Sequence, residues 1–71
     1  MRHDDLVRMI NQIAEFFDAY PPDEAAAGVQ QHVRKFWDPS MRAEILAART
    51  ELTERLHPVA RDALDRLAAA P

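Results

Sequence analysis

The chain has 71 residues, 48% of them apolar, and a net charge of −3. It holds no cysteine, so disulfides, thiolate zinc sites, iron–sulfur ligation and a cysteine nucleophile are excluded within it. Neither half is basic and no apolar run exceeds four residues, so a nucleic-acid backbone binder, a membrane span and a secretory signal are all unexpected.

Residues 1–71 make a single small domain, and the five prolines (Pro21, Pro22, Pro39, Pro58 and Pro71) punctuate it into helical segments. The first runs from about Asp4 to Ala19. Leu6, Met9, Ile10, Ile13, Phe16, Phe17 and Tyr20 fall on one face at 100° per residue. Asp4 or Asp5 is expected to cap its start, and Tyr20-Pro21-Pro22 to end it, because the residue before a proline avoids the α region. The second runs from Asp23, as N-cap, to Phe36, burying Ala25, Val29, Val33 and Phe36. Gly28 lies in its middle, at a cost of about 1 kcal/mol relative to alanine, either tolerated or permitting a close backbone approach.

Asp38-Pro39 is a start signal, since proline fits the first helical position, where its missing N–H is not needed. The third segment therefore runs from Pro39 to at least Ala48, with Met41, Ile45 and Ala48 inward. Thr50 to Leu56 reads as either helix or loop: its composition is helix-compatible and no glycine stops it. The fourth covers Pro58 to Ala69, with Val59, Ala60, Ala63, Leu64 and Leu67 on one face. Short joints imply antiparallel or angled neighbours, hence an all-α fold, a small bundle of three to four short helices. Its expected core is Leu6, Ile10, Ile13, Phe17, Val29, Val33, Phe36, Ile45 and Leu64.

No constellation for catalysis is visible. His3, His32 and His57 share no ligand spacing, and the chain has no His-Glu-x-x-His pattern and no glycine-rich phosphate loop. Ser40, the only serine, has no base nearby in sequence. Asp4 with Asp5, and Glu51 with Glu54, read as solvated helix ends and faces. His32 reads as a partly buried structural histidine. No catalytic, cofactor-binding or metal-binding residue is therefore assigned.

Association remains as a source of stability, because a chain of this size gains from burial about what ordering costs it. Partner-facing groups are sought on two surfaces. Arg8, Asn11 and Gln12 lie on the polar side of the first segment. Phe36 and Trp37 are adjacent, so they point about 100° apart and cannot share one core equally. Phe36 is assigned to the core, and Trp37 to corner packing or an interface anchor, with Arg42 beside it.

At this point the sequence resembles a known family, the delta subunit of soluble NAD-dependent formate dehydrogenases. One block is Leu6-Val7-Arg8-Met9-Ile10-Asn11-Gln12-Ile13-Ala14, followed by Phe16-Phe17. The other is His32, Lys35-Phe36-Trp37-Asp38-Pro39 and Met41-Arg42. A weaker third is Leu56-His57-Pro58-Val59 with Ala63-Leu64. The chain departs from the family pattern in Thr50 to Arg55, where a glycine-bearing loop is expected and charged helix formers stand.

The resemblance implies a non-catalytic accessory subunit that stabilises or helps assemble a cytoplasmic complex oxidising formate with NAD. The larger subunits would carry the molybdenum or tungsten pterin (molybdopterin), the iron–sulfur clusters and the flavin mononucleotide (FMN), and this chain no cofactor. The expected partner is the molybdopterin-binding catalytic subunit, met through Arg8, Asn11, Gln12, Trp37 and Arg42. The alternative is a transient chaperone for pterin-cofactor insertion. A homodimer of the isolated chain would also answer the need for association. Replacing Trp37 and Arg8 together by alanine is expected to release the chain from its complex while leaving it helical.

Overall fold

The computed structural model describes residues 2–70. They form α1 (His3–Phe17), α2 (Pro22–Phe36), α3 (Pro39–Ala48), a 3-10 turn (Thr53–Arg55) and α4 (Pro58–Ala69). The fold is all-α, with no strand among the described residues. Pro71, the last of the punctuating prolines, lies outside them.

The helix ends follow local chemistry, with small shifts from expectation. Arg2 occupies the N-cap position of α1, so Asp4 and Asp5 sit inside the first turn, at the positive end of the helix dipole, and do not cap it. The helix stops at Phe17, two residues before Ala19. Pro22, Pro39 and Pro58 each open a helix at its first position. This moves Asp23 from the cap into the first turn of α2, with Pro21 in the cap position. In α4 the cap is His57, whose Nδ1 accepts a 3.0 Å hydrogen bond from the Val59 N–H.

Thr50 to Leu56 is a turn followed by the 3-10 element, not a continued α-helix. Side chains take over the carbonyls that a further helical turn would use. Arg49 Nη1 donates to the Leu46 carbonyl at 2.8 Å, and Thr53 Oγ1 to the Arg49 and Thr50 carbonyls at 3.0 and 2.9 Å. Leu52 and Leu56 meanwhile turn back into the core.

One cluster of buried side chains draws on every helix and on this turn. Leu6, Ile10, Val29, Val33, Ile45 and Leu64 are completely buried, as expected. Ile13 and Phe17 are only partly buried and pack against the cluster from outside. Helix α1 is central, touching α2, α3 and α4, which explains why Val7 and Ala14 are also buried on a second flank. The most extensive contact is α2 against α4. Ala25, Ala26, Ala60 and Ala63 are fully buried, and such small side chains let helix axes approach closely.

The adjacent aromatics exchange their expected places. Phe36, assigned to the core, is 72% exposed, whereas Trp37 is 6% exposed and belongs to the core cluster. The cause is the register of α2. Trp37, whose N–H still bonds the Val33 carbonyl, continues the four-residue line Ala25–Val29–Val33 that faces the core, and Phe36 lies about 100° from it on the rim.

Candidate functional site

A groove of about 480 Å³ runs along the outside of α1 and α2. Met9, Ile13, Phe16 and Phe17 line it from α1, with Gln12 at the edge. His32 lines it from α2, with the nearly buried Trp37 at its floor. Its walls are mostly apolar, and three large side chains stand out in solvent on this part of the molecule. Phe16 is 71% exposed and Phe36 72%, with Tyr20 half-exposed beyond the end of α1.

Aromatic contacts hold these rings in place. Phe16 meets Phe17 edge-on with centroids 5.1 Å apart, and Phe17 meets Tyr20 at 5.9 Å. His32 lies 4.9 Å from Phe36, so this half-buried histidine supports the exposed ring beside it. Gly28 explains how Phe17 lies so close to α2. A Cβ there would stand 2.5 Å from Phe17 Cε1, inside any permissible contact. The mid-helix glycine is thus a close-approach site that lets the Phe17 ring rest on the α2 backbone.

The other flank of α1 is fastened to the joint before α4. Asn11 Nδ2 donates to the Arg55 carbonyl at 2.9 Å, and Asn11 Oδ1 accepts from the His57 N–H at 2.8 Å. Arg55 reaches Asp4 at 2.6 Å, and His57 Nε2 faces Asp18 at 3.8 Å. Arg66 of α4 pairs with Asp62 and with Asp23 of α2.

The Arg55 guanidinium, through its hydrogen bond and then its charge, holds the Asp4 carboxyl below its ordinary range. A carboxylate depressed in the folded state contributes stability that is complete above its unfolded pKa and is lost as pH falls through the folded one. Asp4→Asn is therefore expected to lower the thermal midpoint at pH 7 and to converge on the unmodified chain as pH drops below the carboxylate range. Thermal melts from pH 7 to pH 3 check this, and a gap that widens on acidification contradicts it.

The five residues expected to meet a partner are scattered by the fold. Arg8 and Gln12 are exposed along the outer edge of α1, with Arg8 3.2 Å from Asp5. Asn11 is committed to the Arg55–His57 joint. Arg42 Nη1 donates to the Arg34 carbonyl at 3.1 Å, closing the C-terminal end of α2. Trp37 is in the core, so its ring is not offered to solvent as an interface anchor. Sequence reasoning placed Phe36 in the core and singled out neither ring as exposed, and no local signal marks them, because the spacing of apolar residues does not tell which of them neighbouring helices cover.

The polar chemistry stays dispersed. His3 faces Glu44 at 3.7 Å, His32 lines the groove and His57 caps α4. Ser40 is exposed in the first turn of α3. Among the described residues no group of three or more histidines and carboxylates is placed to hold a metal ion. No helix among them is long and apolar enough to cross a membrane.

Comparison with known proteins adds one decisive match. A family model described as NADH-dependent formate dehydrogenase delta subunit FdsD matches residues 5–64. No curated protein and no solved structure matches the chain. The matched span begins in the first turn of α1 and ends at core residue Leu64 of α4, so it includes the groove, the close approach at Gly28 and the Asn11 joint. Covering most of the chain and reaching every helix, the match makes this protein a member of the family of delta subunits of NADH-dependent formate dehydrogenase.

Proposed function

We propose that this chain is a non-catalytic accessory subunit that docks its α1–α2 face on a larger subunit of a cytoplasmic formate dehydrogenase complex. The molybdopterin-binding catalytic subunit is the proposed partner. In this reading the pterin, the iron–sulfur clusters and the flavin reside in the larger subunits, and this chain contributes surface and no redox centre. The observation that carries it is the exposed aromatic pair, Phe16 and Phe36, beside an apolar groove on a chain whose core is otherwise closed. Exposed apolar patches of this kind mark interaction sites, and buried aromatic anchors carry most of the binding energy at protein interfaces. Binding to the folded form would also stabilise it by mass action.

The test is co-purification from cells producing the whole complex. Phe16→Ser with Phe36→Ser is expected to lower the recovered chain at least about tenfold while leaving its helicity intact, because both rings are already in solvent. Undiminished recovery of the double variant would sink the docking face. The unmodified chain is expected at one copy per catalytic chain in active enzyme. A clearly sub-stoichiometric yield would instead make it a transient maturation factor.

A further inference from the structure

One imidazole stands between two helix ends of opposite polarity. His57 caps α4: its Nδ1 accepts the Val59 N–H at 3.0 Å, where a side-chain oxygen ordinarily takes that N–H. Its Nε2 points the other way, 3.8 Å from Asp18 Oδ2. Asp18 is the C-cap residue of α1, a helix with no basic side chain in its last turn. A nitrogen that accepts carries no proton, so the neutral ring holds its single proton on Nε2, toward the carboxylate.

The surroundings of the ring come from every neighbouring element. A cavity of about 420 Å³ beside it is bounded by Asp18 at the end of α1, Pro22 of α2, and Pro58, Val59 and Asp62 of α4. Asp62 and Asp23 hold Arg66, and the Arg55 guanidinium is turned to Asp4. Asp18 is the carboxylate that faces Nε2.

From this placement we propose that His57 is a proton-operated latch on the joint before α4. Neutral, it caps α4. A second proton goes to Nδ1, and an imidazolium has two donors and no acceptor, so no rotation of the charged ring restores the bond from the Val59 N–H. The added charge also sits against the positive end of the α4 dipole, whereas the end of α1, with its Asp18 carboxylate, favours a cation. Protonation therefore swings the ring through the cavity from Val59 to Asp18, and the first turn of α4 loses its cap. The change stays local, because Asn11 holds the Arg55 carbonyl and the His57 N–H through groups that do not titrate. The latch does not depend on the docking face proposed above.

The experiment follows the full chain by nuclear magnetic resonance from about pH 8 to about pH 5, the interval in which an imidazole ordinarily takes up a proton. At the upper end, the ring nitrogen shifts are expected to place the His57 proton on Nε2. As the ring gains its second proton, the Val59 amide is expected to lose about fivefold in protection from solvent exchange, the loss that a missing cap brings. The loss should share its midpoint with the titration of the ring itself. Ring contacts to the Asp18 methylene should strengthen in step, and amides around Ile10 and Val29 should keep their protection. His57→Asn supplies an oxygen that caps without titrating, so Val59 is expected to stay protected throughout. His3 and His32, which lie against Glu44 and Phe36, remain in that variant, so it isolates the contribution of His57.

A neutral ring with its proton on Nδ1 overturns the latch in the unmodified chain, with no variant needed. Unchanged protection at Val59 while the ring titrates overturns it too, as do ring contacts to Asp18 that fail to strengthen. An equal loss on acidification in His57→Asn would assign the effect to another group and overturn it as well.

Discussion

Trp37→Ala is expected to remove a large share of the stability of the isolated chain. The ring is 6% exposed and packs in the central cluster, so truncation removes a large apolar body and leaves a cavity. Tryptophan-to-alanine changes in cores cost about 3–5 kcal/mol. A domain of this length has a total stability on the order of 4–11 kcal/mol, so the loss is a large share of it. The expected fall in thermal midpoint is at least about 12 °C. Far-ultraviolet circular dichroism on heating measures it, with Trp37→Phe as a variant that retains most of the volume. A midpoint for Trp37→Ala within about 2 °C of the original would remove Trp37 from the core. This replaces the expectation that Trp37→Ala with Arg8→Ala releases an intact helical chain. Because the indole is inside, the loss of such a variant from a complex would report unfolding and say nothing about docking.

Asn11→Ala should be the most damaging change on the polar side of the molecule. One side chain satisfies two backbone groups, the Arg55 carbonyl and the His57 N–H, 44 and 46 residues away in the sequence. Its removal leaves both groups to water, at a cost of about 0.5–1.5 kcal/mol for each bond. The joint before α4 should loosen first. The His57 amide is expected to exchange with solvent at least about tenfold faster, while amides around Ile10 and Val29 follow only the global loss. Asn11→Asp keeps the bond from the His57 N–H but sets a carboxylate oxygen against the Arg55 carbonyl, so it should also destabilise. Unchanged exchange at His57 in Asn11→Ala would show that the joint does not depend on this clamp.

The sequence made the helices and much of the core legible because both depend on local signals. The apolar stripe of α1 and the prolines that open α3 and α4 sit where the structure puts the elements, and Leu6, Ile10, Val29, Val33, Ile45 and Leu64 are buried as their spacing implies. Thr50 to Leu56 was ambiguous because its composition favours helix, whereas side chains of Arg49 and Thr53 and the burial of Leu52 and Leu56 end it. Asn11 reads in sequence as a solvent-facing amide, since nothing local reveals a partner more than 40 residues away.

The amino-acid order by itself determined a bundle of three to four helices, their approximate ends, a shared apolar core and, through two specific blocks, the family. Tertiary structure alone decided which face stays open. Periodicity tells how wide an apolar stripe is, but not how much of it neighbouring helices cover. The packing of α1 and α4 on α2 selects the Ala25–Val29–Val33–Trp37 line for burial and leaves Phe36 outside, and a missing Cβ at Gly28 seats Phe17 against α2. The apolar groove exists only once α1 and α2 lie antiparallel, because the residues that form it are distant along the chain.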